Sequence, residues 1–373
     1  MNGWRETLIG DVMTLQRGFD ITKRQQRPGP VPVVSSGGIS SFHDTAMVEG
    51  PGVIIGRKGT LGSAFFVEEA FWPHDTTLWV KDFKGNLPRF VYYFLKGLDV
   101  LPMDVGSSNP TLNRNHIHSI MVNWPNVETQ AVIAEVVGAL DDKIAVNDRI
   151  AGTGRELGLS MFRQAVLREG SVFSSIGEVA LLVSRGVAPK YAEGPDTLMV
   201  LNQRCIRNGF VNTTPSRRTL ESKASQQKRL QRNDVLVNST GVGTLGRVAR
   251  WTSHAVATVD SHVSIVRFDP AKIDPVCAGY AMLAAEPEFE LLGEGSTGQT
   301  ELKRVQLQEF DIAIPPVSYQ GELGKSLEAL ENRIAQAFIE SASLAELRDT
   351  LLPRLMSGEL QVKDAERIVE DVT

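Results

Sequence analysis

Apolar and polar residues follow two rhythms along this chain, and each rhythm occurs twice. The first is a set of short alternating runs, such as "VIIGRKG" at 53–59 and "HVSIVRF" at 262–268, broken by Gly, Pro, Asn and Ser. Alternation of this kind predicts short strands. The second rhythm steps by four and three. From Glu128 to about Leu167 it picks out Ile133, Val137, Leu140, Ile144, Asn147, Ala151, Gly154, Gly158, Met161 and Ala165. Shifted by 190 it returns at Leu323, Leu327, Leu330, Ile334, Ala337, Ser341, Leu344, Arg348, Leu351 and Leu355. A sustained 3.5-residue period predicts coiled-coil helices. One such seam is unstable alone in water, whereas two in one chain can cover each other. The first helix is expected to be the weaker, with a break near "AGTGRELG". Gly138, Gly152, Gly154 and Gly158 each cost about 1 kcal/mol against Ala, although small residues also let another backbone approach.

Landmarks in the strand-like stretches repeat in order. "LIGDVMTLQRG" (Leu8–Gly18) parallels "SIGEVALLVSRG" (Ser175–Gly186). The word GTLG stands at Gly59–Gly62 and again at Gly243–Gly246. "HDTTLWV" from His74 parallels "VDSHVSIV" from Val259, and "GSSNPTLNRNHIHSIMVNWP" from Gly106 parallels "GSTGQTELKRVQLQEFDIAIP" from Gly295. The offset drifts from about 167 to about 190, as loop insertions in a duplicated unit would produce. The expected organisation is α+β: β-rich units at 1–125 and 169–316, helices at 126–168 and 317–360, and an acidic tail at 361–373, read as solvated or partner-facing.

Length agrees with more than one domain, since 373 residues exceed one ordinary core. Hydrophobic content of 42% and charged content of 22% read as soluble and globular. No apolar run reaches the roughly 18 residues of a membrane span, and the N-terminal stretch is not read as a signal peptide. Two cysteines, Cys205 and Cys277, fit a reducing cytoplasm and make no metal pattern. The net charge of −5 argues at first against nucleic acid. The acidity is local, however: residues 317–373 carry 6 basic and 11 acidic side chains. In contrast, Gln203–Arg232 holds Arg204, Arg207, Arg217, Arg218, Lys223, Lys228, Arg229 and Arg232 against the single acid Glu221. Such a stretch can pair with phosphates, and Arg can grip guanine through two hydrogen bonds. A thinner patch in the first half includes Arg57 and Lys58, expected to project from the hairpin tip, and Arg114.

Enzyme signatures are weak. "HIH" at His116–His118 has no companion ligands at zinc-site spacing. "SNPT" at Ser108–Thr111 lacks the second proline and the aromatic of an amino-methyltransferase motif. "YQGELGKS" from Tyr319 misses the first glycine of a phosphate-binding loop.

The two openings, the two GTLG hairpins, the "GSSNPTLNRNHI" and "GSTGQTELKRVQL" segments and the two heptad helices together resemble the specificity (S) subunit of type I restriction–modification systems, over about residues 5–360. The resemblance implies two target recognition domains, each reading one half of a bipartite double-stranded DNA sequence. An antiparallel coiled coil would set the gap and dock two modification (M) subunits. Those subunits would bind S-adenosylmethionine and methylate adenine, and motor-nuclease (R) subunits would join for cleavage. The chain itself would be non-catalytic and hold no cofactor. DNA-binding candidates are then Arg57, Lys58, Arg114, Arg204, Arg207, Arg217, Arg218, Lys228, Arg229 and Arg247. Spacer and docking candidates are Ile133, Val137, Leu140, Ile144, Leu323, Leu327, Leu330 and Ile334. A stand-alone DNA-binding protein and a coiled-coil adaptor remain open as alternatives.

Overall fold

A computed structural model describes residues 3–100, 111–293 and 300–370. Each half begins with a β-strand pair, Trp4–Leu8 with Met121–Pro125 and Val172–Ser175 with Asp311–Ile314. Between the members of each pair lie a four-stranded and a three-stranded sheet, and the second half adds a two-stranded pair, Ile206–Arg207 with Phe210–Val211. In the first half a four-stranded antiparallel sheet runs Thr14–Arg17, Thr77–Asp82, Gly52–Gly56, Ala64–Val67 in spatial order. In the second half the order is Ala180–Arg185, Val263–Phe268, Val235–Asn238, Val248–Arg250. The three-stranded sheets also match. Val31–Ser35 pairs antiparallel with Gly38–His43 and parallel with Trp72–Pro73. Thr197–Leu201 pairs antiparallel with Arg217–Leu220 and parallel with Ala257–Val259. The duplication inferred from landmarks is thus a duplication of topology.

The core strand Gly52–Gly56 is buried throughout because both its faces are covered. Ile54 meets Val34 and Phe71 on one side. Val53 and Ile55 join Phe90 and Val91 of the helix Pro88–Lys96 on the other. The alternation of the strand is therefore divided between two apolar neighbours.

The two long helices are Val127–Val166 and Val317–Met356, 40 residues each. The chain divides into two compact units, 1–146 with 339–373, and 147–338. Each unit therefore takes half of each helix, and the division cuts through the helices rather than falling at their ends. Within the first unit the pairs Asp141–Arg348 (2.7 Å) and Lys143–Glu340 (3.3 Å) run in opposite directions, so the helices are antiparallel. Ile133, Val137, Leu140, Leu344, Leu351 and Leu355 are buried in that unit's core. In the second unit Leu323 and Leu327 pack with Phe162 and Ala165.

Two expectations are corrected. The first helix does not break at "AGTGRELG". Its glycines face neighbours that need the space: a Cβ on Gly154 would lie 2.9 Å from Ile334 Cδ1, and one on Gly158 would lie 2.5 Å from the Tyr280 hydroxyl. Close packing there offsets the weak helix propensity. Gly152 instead faces open space. Gly152→Ala is therefore expected to raise stability by about 1 kcal/mol. Gly158→Ala should lower it by about 1–3 kcal/mol through overpacking. Urea unfolding of both variants checks the contrast.

The tail is also not simply solvated. Val362–Glu370 is a helix whose Ala365 is buried, with Leu360, Val362 and Val369 packed on the first unit's core. Among the described residues no helix is long and apolar enough to cross a membrane.

Candidate nucleic-acid interface

The two GTLG words form the same turn. In the first unit Gly56 donates to the Ser63 carbonyl (2.9 Å) and Gly62 to the Gly56 carbonyl (3.1 Å). In the second, Asn238 donates to Arg247 (2.9 Å) and Gly246 to Asn238 (2.9 Å). Gly59, Gly62, Gly243 and Gly246 have φ of +77°, +76°, +70° and +80°, a region that favours glycine. Each turn is then tied to a distant segment. Leu112 N–H donates to Arg57 C=O and Leu302 N–H to Ser239 C=O, both at 2.9 Å. A second fixed point lies at Gly18 and Gly186, where a Cβ would come within 2.1 Å of a backbone carbonyl of His74 and of Val259, respectively.

Hydrogen bonding aligns the side chains on this common scaffold. Arg57 N–H bonds to Thr76 C=O, and Ser239 N–H bonds to His262 C=O. Arg57, Lys58 and Thr76 thus stand where the second unit has Ser239, Thr240 and His262. The backbone frame is shared and the chemistry around it differs.

In the first unit Lys58 and Arg114 are exposed, whereas Arg57 is half-buried at the base of the hairpin and not at its tip. Its guanidinium approaches the Asp75 carbonyl at 3.4 Å. Burial, with Arg17 adding repulsion, pushes the Arg57 guanidinium below its ordinary range. Burial opposes ionisation of Asp75, but the ion pair with Arg17 (2.7 Å) and the nearby His74 hold its carboxyl below the usual value. Arg114 begins the short helix Arg114–His118 and lines an open cleft with Arg17, Phe19 and Trp72. Asp20, His74 and Asp75 bring potential metal-ligand atoms within 4.8 Å of one another, although Asp75 is already engaged by Arg17.

The "HIH" histidines do different work. His118 Nε2 accepts the Leu15 N–H at 2.9 Å, which requires an unprotonated nitrogen. Burial, then Arg114 and Lys84, lower its pKa. The unfolded chain therefore binds that proton more readily, so this contribution is present above about pH 6.5 and declines as pH falls below it. Unfolding midpoints measured from pH 8 to 5 should fall more steeply for the wild type than for His118→Gln.

In the second unit the basic stretch separates into two groups. Arg204 and Arg207 are exposed on the turn Gln203–Cys205 and the strand Ile206–Arg207. Arg217 is exposed and lies over the Tyr191 ring, 3.3 Å from its centroid. The others bond to groups of the protein, Arg218 while still exposed. Arg218 donates to the Thr197 hydroxyl and carbonyl at 2.7 and 2.6 Å. Lys228 donates to Gly186 C=O (3.1 Å), Arg229 to Glu221 (2.7 Å) and Arg247 to Gly243 C=O (2.8 Å).

Of the spacer candidates, Ile133, Val137, Leu140, Leu323, Leu327 and Ile334 are at most 2% exposed, so each packs within its own unit and offers no outer surface. Ile144 and Leu330 are half-buried. The "SNPT" residues Ser108 to Pro110 lie outside the described residues.

Sequence reasoning missed two positioning pairs. Gln130 Nε2 donates to Pro125 C=O (3.0 Å) while its Oε1 accepts Leu87 N–H (3.1 Å). Gln320 does the same with Pro315 (2.8 Å) and Asp274 (2.8 Å). The signal was present as a glutamine five residues after each proline. Arg250 and Glu331 form a buried ion pair that no periodicity marks.

Residues 1–151 match the model of the family described as Type I restriction modification DNA specificity domain. The fold is similar to the crystal structure of the type I restriction–modification system S subunit from M. genitalium, with TM-score 0.65 and 15% identity over 95% of this chain and 96% of that one. At that identity the likeness concerns the fold alone. Lower similarity is found to a structure describing assembly and conformational transition of the type I R-M system (TM-score 0.44, 16% identity, 96% of this chain and 99% of that one). The HsdS subunit from Thermoanaerobacter tengcongensis follows (TM-score 0.37, 16% identity, 96% of this chain and 98% of that one). No curated protein sequence matches the chain. Residues 1–151 thus carry a type I restriction modification DNA specificity domain, and the later part of the chain repeats the topology of that matched region.

Proposed function

We propose that each unit reads one half of a bipartite double-stranded DNA target and that the long helices set the gap between the halves. The observation that carries this reading is the shared turn with unlike side chains: Arg57, Lys58 and Thr76 stand where Ser239, Thr240 and His262 stand in the other unit. One backbone frame with two sets of polar groups suits two different base sequences. In this reading the exposed cations Arg114 and Lys58 in the first unit, and Arg204, Arg207 and Arg217 in the second, would meet phosphates or base edges.

The helix pair would also dock two modification subunits, which would bind S-adenosylmethionine and methylate adenine. Motor-nuclease subunits would join for cleavage. In this reading the chain binds and positions and leaves bond-making to its partners. A helix of 40 residues spans about 60 Å, a length on the scale of two turns of B-DNA at roughly 34–36 Å each. Two half-site contacts on one frame gain by effective concentration, so neither needs to be strong.

Binding of labelled duplexes by the chain with and without modification subunits tests the reading. Site-specific binding that requires those subunits and weakens steeply with salt is expected. Tight specific binding by the chain alone would favour a stand-alone DNA-binding protein. Salt-insensitive partner binding without DNA affinity would favour an adaptor.

A further inference from the structure

At one equivalent place in the two units a carboxylate of a long helix lies beside a tyrosine, Asp141 half-buried and Glu331 buried. In the first unit the Tyr93 hydroxyl reaches Asp141 and Arg89. In the second, Glu331 faces Tyr280. Pro88 and Pro275 open the helices that carry these tyrosines, each five residues ahead of its tyrosine. Asp141 and Glu331 are related by the same shift of 190 that relates the heptad seams.

The counter-ion comes from different places. Asp141 is met by Arg348 of the opposite long helix at 2.7 Å, with Lys96 at 3.6 Å. Glu331 is met by Arg250, from a strand of its own unit. The surrounding residues exchange size to match. The counterpart of Arg348 under the shift of 190 is Gly158, which lies against Tyr280. The counterpart of Arg250 is Phe66, since the two pair with Val235 and Val53 at the same point of the sheet. Phe66 packs on Tyr92, with ring centroids 5.8 Å apart. In place of Tyr92 the second unit has Gly279, where a Cβ would lie 2.8 Å from Arg250 Cδ.

We propose that Asp141 and Arg348 are the register key of the two long helices, whereas Arg250 and Glu331 anchor the second unit to one helix only. A seam repeating every seven residues keeps much of its apolar character after a one-heptad slip, so it fixes register weakly by itself. A slip one way would set Ser341 against Asp141 and Arg333 against Lys143. A slip the other way would set Leu355 and Leu347 there. Either slip strands the carboxylate of Asp141 away from Arg348, and the first also brings two cations together. A polar pair in an apolar seam is well suited to specifying register. Arg348 is thus a positioning residue, and under the proposed function its register fixes the half-site gap.

Cysteine pairs read the register without DNA. In the full chain, Lys143→Cys with Glu340→Cys reports the observed register, and Lys143→Cys with Leu347→Cys a slipped one, using a bis-maleimide cross-linker. Cys205 and Cys277 are buried. Arg348→Ala or Asp141→Ala should lower the first yield at least threefold and raise the second. The exchange of Asp141→Arg with Arg348→Asp should restore the first. Unchanged yields in folded single variants, or an exchange that fails to restore, would overturn the key. Mapping the methylated motif in cells carrying Arg348→Ala then separates this proposal from the functional reading. A slipped register with an unaltered gap retains the key and removes the helices from gap control.

Discussion

Glu331→Leu is expected to be the most destabilising single substitution discussed for this chain, by about 3–5 kcal/mol. Arg250 is 4% exposed, and its guanidinium would keep Asn233 as its remaining bonded partner. A buried cation without a counter-charge is costly because the interior solvates it poorly. Arg250→Met should be comparably harmful, since it leaves Glu331 facing Tyr280 with its principal cation removed. The double replacement behaves differently. With both charges gone and similar volume kept, its stability should return to within about 2 kcal/mol of the wild type, because the desolvation cost of the pair disappears with its attraction. Urea unfolding of the four proteins forms a double-mutant cycle. Additive losses in the double variant would show that the pair does not act as a unit.

The largest effect on binding is expected from Arg204→Ala, Arg207→Ala and Arg217→Ala together, measured in the assembled complex on a duplex that carries its target. Loss of up to three phosphate contacts should weaken binding on the order of a hundredfold at moderate salt, and should lower the salt slope by up to about three. Arg218, Lys228 and Arg229 lie in the same basic stretch but are already bonded to Thr197, Gly186 and Glu221. Replacing them should change stability and leave the salt slope alone. Equal slopes in the two sets of variants would remove this distinction between the two groups of cations.

Much of the fold could be read before any coordinates. The heptad positions marked both helices because burial on one side of a helix imposes a period that few other arrangements share. The GTLG words marked matching turns because only glycine tolerates their positive φ without strain. The continuity of the first helix was not legible. Helix propensity counts what Gly154 and Gly158 lose against water, and their gain depends on Ile334 and Tyr280, far away in sequence. The same limit applied to the cations. Composition identified eight basic residues in Gln203–Arg232, but whether each faces solvent or a carbonyl depends on strand register. Arg217 and Arg218 are neighbours on one strand and point to opposite uses, as alternation requires.

The central claim is that the chain holds two versions of one reading head, each responsible for its own half of a split target. Mapping methylated adenines across genomic DNA tests it most directly, in cells with the chain and its modification subunits, without the chain, and with the triple variant Arg204→Ala, Arg207→Ala, Arg217→Ala. The expected result is a two-part motif with one modified adenine in each half, absent without the chain and relaxed in a single half by the triple variant. A continuous motif, a pattern unchanged by removing the chain, or equal relaxation of both halves would contradict it.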